Sequence, residues 1–394
     1  MQQSEFLFIH PLLGPDDAWA GYHAEFPPER AANSEILSAC CSHPLLTEFD
    51  LRHPWFIPAM PEASHNAAVN SRLVNVFAAG SARLKDNEAL SEFEEHLRQL
   101  RCKTGITVRP EDKLPATGAW DYLLISASHA RSLPPYTLLG MASRTTVLIT
   151  SVHSHADHTW GQANACSLST GEYLLARNTQ GKKADTTRLK LLEMLGLLAE
   201  DADTGALEAI FRQEAKLSYS LLRLVNSAAI APRTPITCFA QAINLLGRRQ
   251  LQRWLQLLVY ADPNNGQQPN PLLQKAAARG RLLELLAPTI AGQSADEIGD
   301  TAFMIGVFSL LDTLLNMSMS EILQQLPLPE VVHKALAEHE GPLGELLRAI
   351  SSAEGGDLKF AHGQLEKLNI DGTLFLNAQL TALSWAAKIR PSQD

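Results

Sequence analysis

The periodicity of the apolar residues changes once along this 394-residue chain, and that change limits the fold more than any single motif. Before about residue 180, short apolar runs typical of strands alternate with a helical pattern. From about Asp185 onward only the helical period remains, as in Leu189, Leu192 and Leu195. Alternating strands and helices predict a mainly parallel α/β sheet or barrel, whereas the second half is predicted to be all-α. We therefore expect two domains, residues 1–180 and residues 185–394, which fits the length of the chain.

The predicted elements of the first half rest on runs of β-branched and aromatic residues. A strand pair is expected at the start, where residues 6–9 and 18–22 flank the turn Gly14–Asp17. An amphipathic helix is expected over Leu90–Leu100. Further strands are expected at Leu73–Phe77, Ile106–Val108, Tyr122–Ile125 and Thr146–Ile149.

Composition argues against several classes of protein. Apolar residues make up 45% of the chain, which is enough for two cores and excludes a disordered protein. The net charge of −9 argues against general nucleic-acid binding, because phosphate contacts need a basic surface. The longest apolar runs fall well short of about 20 residues and no basic-then-apolar leader is present, so we expect no membrane segment. The cysteines form no C-x-x-C pair, which favours reduced thiols in the cytoplasm; they are Cys40, Cys41, Cys102, Cys166 and Cys238.

The most specific sequence motifs of the second half lie in two predicted helical segments. They read LLRLVNSAA at residues 221–229 and AINLLGRRQLQRWL at residues 242–255. At this spacing they resemble the HDOD domain, a helical signalling module related to HD-type phosphohydrolases. The residues of the resemblance that we expect to be structural are Leu222, Asn226, Ser227 and Gly247, with Asn226 and Ser227 fixing a helix end.

The same resemblance implies that the metal site of HD-type enzymes is missing. Those enzymes hold metal with a His-Asp pair on one helix and with further histidines. In the alignment that the resemblance implies, the pair falls at about Ser309 and Leu310, with Asp312 as the nearby carboxylate. Where another histidine is expected, the helix Leu272–Ala287 offers Lys275, Arg279, Arg281 and Glu284. The alternative for this half is a generic helical bundle.

The α/β half resembles an EAL domain, the barrel that hydrolyses cyclic di-GMP in its active members. HDOD domains are often fused behind such a barrel. Active members hold divalent metal ions with acidic groups at strand ends. Here the motif glutamate falls at His23, after Gly21 and Tyr22. The resemblance therefore implies a degenerate barrel, and about 180 residues against about 250 for a complete one implies a shortened barrel. The other groups that the resemblance leads us to expect are also missing: an asparagine near Ala59, a glutamate within Ser71–Gly80, paired aspartates at Thr107–Pro110, a lysine and an aspartate at Leu124 and Ser126, a glutamate at Thr150–Ser151, and a glutamine at Thr170 or Gly171.

A competing motif lies at residues 153–158. His153, His155, Asp157 and His158 form H-x-H-x-D-H, which resembles the zinc signature of metallo-β-lactamase-fold hydrolases. Zinc sites need three or four such ligands, with an open position for water when they are catalytic. That fold takes its remaining ligands from later strands, and the later histidines here lie in helical surroundings. We interpret residues 154–160 as the start of an exposed helix; an incidental or regulatory metal site and a true hydrolase are the alternatives.

Three arginines cluster on the predicted helix around residue 250. Arg248, Arg249 and Arg253 lie opposite an apolar stripe of Leu251, Trp254 and Leu258. The simplest interpretation is a solvated face. The alternative is a docking face for an acidic partner or a phosphate ligand.

Taken together, the resemblances imply a cytoplasmic signalling scaffold or adaptor without catalytic residues, metal or cofactor. Its expected partners are other signalling proteins, with a homodimer as a further option. The first alternative is an enzyme, either a residual cyclic di-GMP phosphodiesterase or a zinc hydrolase using residues 153–158. The second is a sensor that binds cyclic di-GMP without cleaving it.

Overall fold

The chain divides into two compact units. The computed structural model describes residues 5–28, 30, 32–63, 70–78, 88–177, 221, 225–226, 239–260, 269–291, 295–326 and 328–389. The first unit consists of Met1–Ala176 together with Ser352–Gly363 and Asp371–Asn377. The second consists of Arg177–Ser351, Gln364–Ile370 and Ala378–Asp394.

The first unit is a closed barrel of eight strands that follow one another in chain order. The first strand is antiparallel to both of its neighbours, and the other strands run parallel. One apolar side chain from each of six strands joins the interior cluster: Leu12, Phe56, Val74, Leu124, Leu148 and Leu168. The strands are β1 (Phe8–Leu13), β2 (Trp19–Glu25), β3 (Trp55–Pro58), β4 (Leu73–Ala78), β5 (Lys103–Val108), β6 (Tyr122–Ser126), β7 (Thr146–Thr150) and β8 (Cys166–Ser169).

The expected shortening has not removed a strand, because the barrel closes with eight strands. The helices of this part are α1 (Ser34–Cys41), α2 (Glu88–Gln99), α3 (Ala127–Ser132), α4 (Thr137–Met141) and α5 (His155–Ala163). Two short helices, α3 and α4, suffice to connect β6 and β7. Residues 109–121 connect β5 to β6 without a helix.

The second unit is helical throughout its described residues. A glycine, Gly247, breaks the first long helix with φ 74° and ψ 162°, so this helix is two segments joined at a kink. Ser318 and Glu321 form a capping box at the start of a short helix, where each side chain accepts a hydrogen bond from the backbone N–H of the other residue. The helices from here to the end of the chain, some of which include residues of the barrel unit, are α6 (Phe239–Leu258), α7 (Pro271–Ala291), α8 (Ala295–Phe308), α9 (Leu311–Leu315), α10 (Met319–Leu323), α11 (Glu330–Glu338), α12 (Gly341–Glu354), α13 (Leu358–Lys367) and α14 (Gly372–Ala387).

The predicted fold class is confirmed, since an α/β barrel precedes a helical region. The expected strand pair at the start is the β1–β2 hairpin, and the expected helix over Leu90–Leu100 is α2. The sequence did not predict β8, which has four residues and includes two serines.

One apolar stretch of the helical unit has the length and composition of a membrane span. Among the described residues it is Ile298–Leu315, and 56% of it is buried. The stretch is not one continuous helix, because α8 ends at Phe308 and α9 begins at Leu311. Burial of this kind is common for a core helix, so the stretch is weak support for a membrane segment.

Candidate functional site

Three titratable residues meet at one end of the barrel. In barrels of parallel strands, functional side chains gather at the carboxyl ends of the strands. Because β1 is antiparallel, its amino end lies there, and His10 of β1 pairs in register with His23 of β2. The Glu25 Oε1 atom lies 3.9 Å from His10 Nε2 and 3.7 Å from His23 Nδ1. We call His10, His23 and Glu25 the mouth cluster.

The mouth cluster differs in chemistry from a hard-cation site. Calcium and magnesium ions take oxygen ligands, mostly carboxylates, carbonyls and water. The cluster offers two imidazoles and a single carboxylate, at separations longer than hydrogen bonds. Among the described residues, no group of three or more His, Cys, Asp or Glu side chains is arranged to hold a metal ion.

At other strand-end positions that the EAL resemblance names, the side chains accept hydrogen bonds from backbone N–H groups. The Ser126 hydroxyl caps α3 by accepting a hydrogen bond from the His129 N–H at 3.3 Å. The Val152 N–H donates to Thr170 Oγ1 at 3.4 Å and to Glu172 Oε2 at 3.2 Å. Glu172, which the sequence did not single out, is thus a carboxylate near the end of β8 that secures a loop.

The expected helix in the H-x-H-x-D-H stretch is confirmed as α5. Ser154 caps it, with its hydroxyl accepting from the Asp157 N–H at 3.1 Å. The Asp157 carboxylate accepts from the Ser154 hydroxyl and pairs with Arg131, and these two contacts hold its pKa below the usual value. The carboxylate of the motif is therefore engaged in an ion pair.

The prediction that this helix is exposed is wrong at His158, which is buried. Its Nε2 atom lies 2.8 Å from Asp17 Oδ1, and its ring stacks on Tyr173 with 4.1 Å between centroids. The Tyr173 hydroxyl donates to the same Asp17 oxygen at 3.1 Å. The hydrogen bond from His158, which outweighs the opposing effect of burial, lowers the pKa of Asp17. Closure of the barrel brings the β1–β2 turn against α5, and the sequence pattern of α5 alone carries no sign of this contact.

The four motif residues consequently do not assemble a zinc site. His158 is hydrogen-bonded to Asp17, and Asp157 forms an ion pair with Arg131. The rings of His155 and Tyr173 pack edge to face, while His153 is exposed. All of residues 153–158 are described, and they contribute to no metal-binding group.

A Ser-His-Asp order does occur around His158, because Ser169 Oγ lies 3.4 Å from its Nδ1 atom. Such an order is the arrangement of a nucleophile, a base and an orienting carboxylate. Ser169 is buried, and the adjoining cavity has a volume of about 10 Å³, roughly the space of one water molecule. Small-molecule sites usually have about 300–1,000 Å³, so the network is better suited to fastening the β1–β2 turn, α5 and β8 together.

In the helical unit, Arg279 and Ser309, two positions where HD-type enzymes would carry metal ligands, are in contact. Arg279 is 3% exposed, and its Nη1 atom donates to Ser309 Oγ at 2.7 Å. Asp312 pairs with Arg177 at 3.4 Å. A guanidinium has only donors, so this pair of positions offers no metal ligand equivalent to a histidine.

The arginines around residue 250 are not the solvated face that the pattern suggested. Arg253 is 9% exposed; it pairs with Glu284 and, at 2.8 Å, with Asp300. Arg249 also pairs with Asp300. These contacts tie α6 to α7 and α8, because Glu284 and Asp300 need positive partners in a partly buried setting. The Arg248 side chain lies outside the described residues.

The expected structural residues of the HDOD resemblance are described only in part. Gly247 forms the kink of α6, where its positive φ favours glycine. Asn226 lies in a turn directly after a helical residue, as expected for a helix end. Leu222 and Ser227 lie outside the described residues.

Comparison with known proteins identifies the class of the helical region. Residues 186–326 match the HDOD domain model, so the chain contains an HDOD domain. The cyclic di-GMP phosphodiesterase CdgJ of Vibrio cholerae serotype O1 is 32% identical over 189 residues, which are 48% of this chain and 43% of that protein. The uncharacterized protein YuxH of Bacillus subtilis (strain 168) is 29% identical over 185 residues, 46% of this chain and 44% of that protein. The matched regions thus span less than half the length of these relatives.

A solved structure, the FimX EAL domain, was also found to be similar. It covers 44% of this chain and 90% of the FimX chain at 13% identity, with a TM-score of 0.28. Similarity at this level carries no conclusion about activity. The barrel architecture is therefore established by its own eight strands.

Proposed function

We propose that the chain is a cyclic di-GMP signalling protein that acts by binding other signalling proteins and does not hydrolyse the nucleotide. The signalling class is supported by the HDOD domain and by similarity to a relative named as a cyclic di-GMP phosphodiesterase. The absence of turnover is supported chiefly by the mouth cluster. His23 stands where the EAL resemblance expects the metal-binding glutamate.

The chemistry of the mouth cluster explains why this substitution matters. Metal-assisted phosphodiester cleavage needs a cation that activates water and neutralises charge on the phosphate. Exchanging glutamate for histidine replaces a negatively charged oxygen ligand with a neutral or positive nitrogen group. Glu25 remains, but it lies between two imidazoles that compete with a cation for its charge.

Turnover is the direct test of this proposal. The full chain is incubated with cyclic di-GMP and Mg²⁺ or Mn²⁺, and linear and cyclic nucleotides are separated by chromatography. We expect no linear product above a blank without protein, and the same result for His23→Ala. Linear product that depends on the protein and the metal would overturn the proposal.

A sensor that binds cyclic di-GMP without cleaving it is the second candidate, and the two imidazoles of the mouth cluster favour it. Imidazoles donate hydrogen bonds and, when protonated, attract phosphate oxygens. Calorimetry with cyclic di-GMP measures binding, and His10→Ala and His23→Ala are the variants that should weaken it. Absence of binding heat at several temperatures would remove this candidate while leaving the adaptor proposal standing.

The adaptor proposal assumes a cytoplasmic location and a protein partner. Affinity purification of the full chain from its native cells is the corresponding experiment. The proposal requires a signalling protein that is recovered in near-equal amount and binds again after both proteins are purified. Light scattering after size-exclusion chromatography separates that outcome from a homodimer without a second protein.

A further inference from the structure

Two segments from the far end of the chain belong to the barrel unit. They are Ser352–Gly363 and Asp371–Asn377, which include the first residues of α13 and α14. We call these two segments the C-terminal strap. Nothing in the sequence pattern distinguishes them from the rest of the helical half, so their place in the barrel unit is a finding of the structure.

Aromatic side chains connect the strap to the amino end of β1. The Phe375 ring meets Phe6 edge-on at 5.6 Å and Phe8 at 5.4 Å between centroids. The His362 ring meets Phe6 at 5.1 Å, also edge-on. All four rings are at most 2% exposed. Edge-to-face packing of buried rings is a favourable and directional contact, so the strap fixes the position of these β1 side chains.

Two further contacts lie on either side of the aromatic group. Gly372, the first residue of α14, packs against the backbone of Glu5, and a Cβ atom there would lie 2.2 Å from the Glu5 carbonyl oxygen. The same Cβ atom would lie 3.2 Å from the Ile36 side chain of α1. Near the other end of the strap, the Asn377 side chain meets His43 Nε2 at 3.0 Å. Only a glycine allows the approach at residue 372.

The strap meets β1 at the mouth of the barrel. Phe8 pairs in register with Glu25, and His10 lies two residues further along β1. The register pair between β1 and β8, Leu13 with Ser169, lies at the opposite end of β1. The amino end of β1, which positions His10 of the mouth cluster, is therefore held by β2 and by the strap.

We propose that the strap clamps the amino end of β1 and thereby sets the position of the mouth cluster. When the strap contacts are weakened, residues 5–10 open while the rest of the barrel stays folded. Such openings of one cooperative segment are ordinary in proteins and cost less than global unfolding. In the chain, the two strap segments are joined to residues that belong to the other unit.

Hydrogen exchange of the full chain tests this proposal with Gly372→Ala. Alanine has a higher helix propensity than glycine, so the substitution should stabilise α14 unless the new Cβ atom clashes with the Glu5 carbonyl oxygen. We expect amide exchange of residues 5–10 to rise by about tenfold or more, with β7 unchanged. Thr373→Ala is the matched control, because Thr373 is exposed and adjacent, and it should leave residues 5–10 unchanged.

Two results would overturn the proposal. One is exchange of residues 5–10 in Gly372→Ala that stays at the wild-type rate. The other is a rise in β7 equal to that in residues 5–10, which would mean global loosening. Should Gly372→Ala fail to fold, Phe375→Leu keeps an apolar side chain of smaller volume and removes the edge-on ring contacts, and the same two readouts apply to it.

Discussion

The hydrogen bonds that Asp17 accepts make a sharp prediction for Asp17→Asn. One carboxylate oxygen accepts from His158 at 2.8 Å and from Tyr173 at 3.1 Å. The substitution keeps the shape of the side chain and removes its charge. Both donors are largely buried, so weakening their bonds costs more than it would at the surface.

The expected magnitude follows from the exposure of the carboxylate. Hydrogen bonds to charged groups contribute about 1.5–3 kcal/mol each when they are buried. The Asp17 side chain is 44% exposed, so solvent screening reduces that contribution. We expect Asp17→Asn to lower the free energy of unfolding of the barrel by about 1–2 kcal/mol at pH 7.

The pH dependence of this loss has a definite sign. The pKa of Asp17 is lowered in the folded protein, so its contribution is present above its unfolded pKa of about 3.9 and is lost as pH falls through the folded value. The difference between wild type and Asp17→Asn should therefore shrink below about pH 4.

Urea unfolding, followed by tryptophan fluorescence at several pH values, measures this difference. Asp16→Asn is the matched control, since Asp16 is exposed and the amide oxygen can still accept from the Ala18 N–H. An Asp17→Asn variant as stable as wild type at pH 7, or a difference that grows on acidification, would refute the reasoning.

Three other predictions concern packing, charge and thiol reactivity. In thermal unfolding, Gly306→Ala should lower the free energy of unfolding by about 1–3 kcal/mol or more, because its Cβ atom would lie 2.6 Å from the α7 backbone. Gly363→Ala is the control, since its Cβ atom would meet open space, and it should be neutral or stabilising. Equal effects of the two substitutions would contradict this prediction. Arg253→Met should destabilise the helical unit by about 1–3 kcal/mol in urea, because it removes one of the two positive partners of the buried Glu284 carboxylate. Asp300 is partly exposed and keeps Arg249, so it contributes less to the loss; no change in stability would contradict the prediction. Burial raises the pKa of Cys166 to about 12, so at pH 8 a thiol reagent should label the less buried Cys102 before Cys166; the reverse order would contradict this.

The sequence predicted those elements whose signal is local. The apolar runs at residues 73–77, 122–125 and 146–149 are strands within a residue of their expected ends, because β-branched and aromatic residues suit a pleated, buried surface. The Ser318 capping box was likewise readable, since its partners lie three residues apart. The four-residue β8 was not predicted, because its pairing with β7 and β1 compensates for a weak intrinsic preference.

Contacts between distant residues were beyond the reach of the sequence pattern. His158 and Asp17 are separated by 141 positions, so their hydrogen bond depends on closure of the barrel. Arg253 resembles a surface residue until α7 and α8 bring Glu284 and Asp300 to it. Phe375 belongs to an apolar helix, and the sequence contains no signal that it packs on Phe6 and Phe8. In the mouth cluster, the placement of His23 at a strand end was predicted, but its proximity to His10 and Glu25 was not.

Hydrolysis under single-turnover conditions tests the proposed loss of activity most directly. The full chain, in excess over labelled cyclic di-GMP, is mixed with Mg²⁺ or Mn²⁺ and sampled over hours, so that even one slow cleavage per molecule is detected. We predict intact nucleotide at every time point, with wild type, His10→Ala and His23→Ala indistinguishable from buffer. Linear dinucleotide that accumulates with wild type and disappears with either variant would contradict the account.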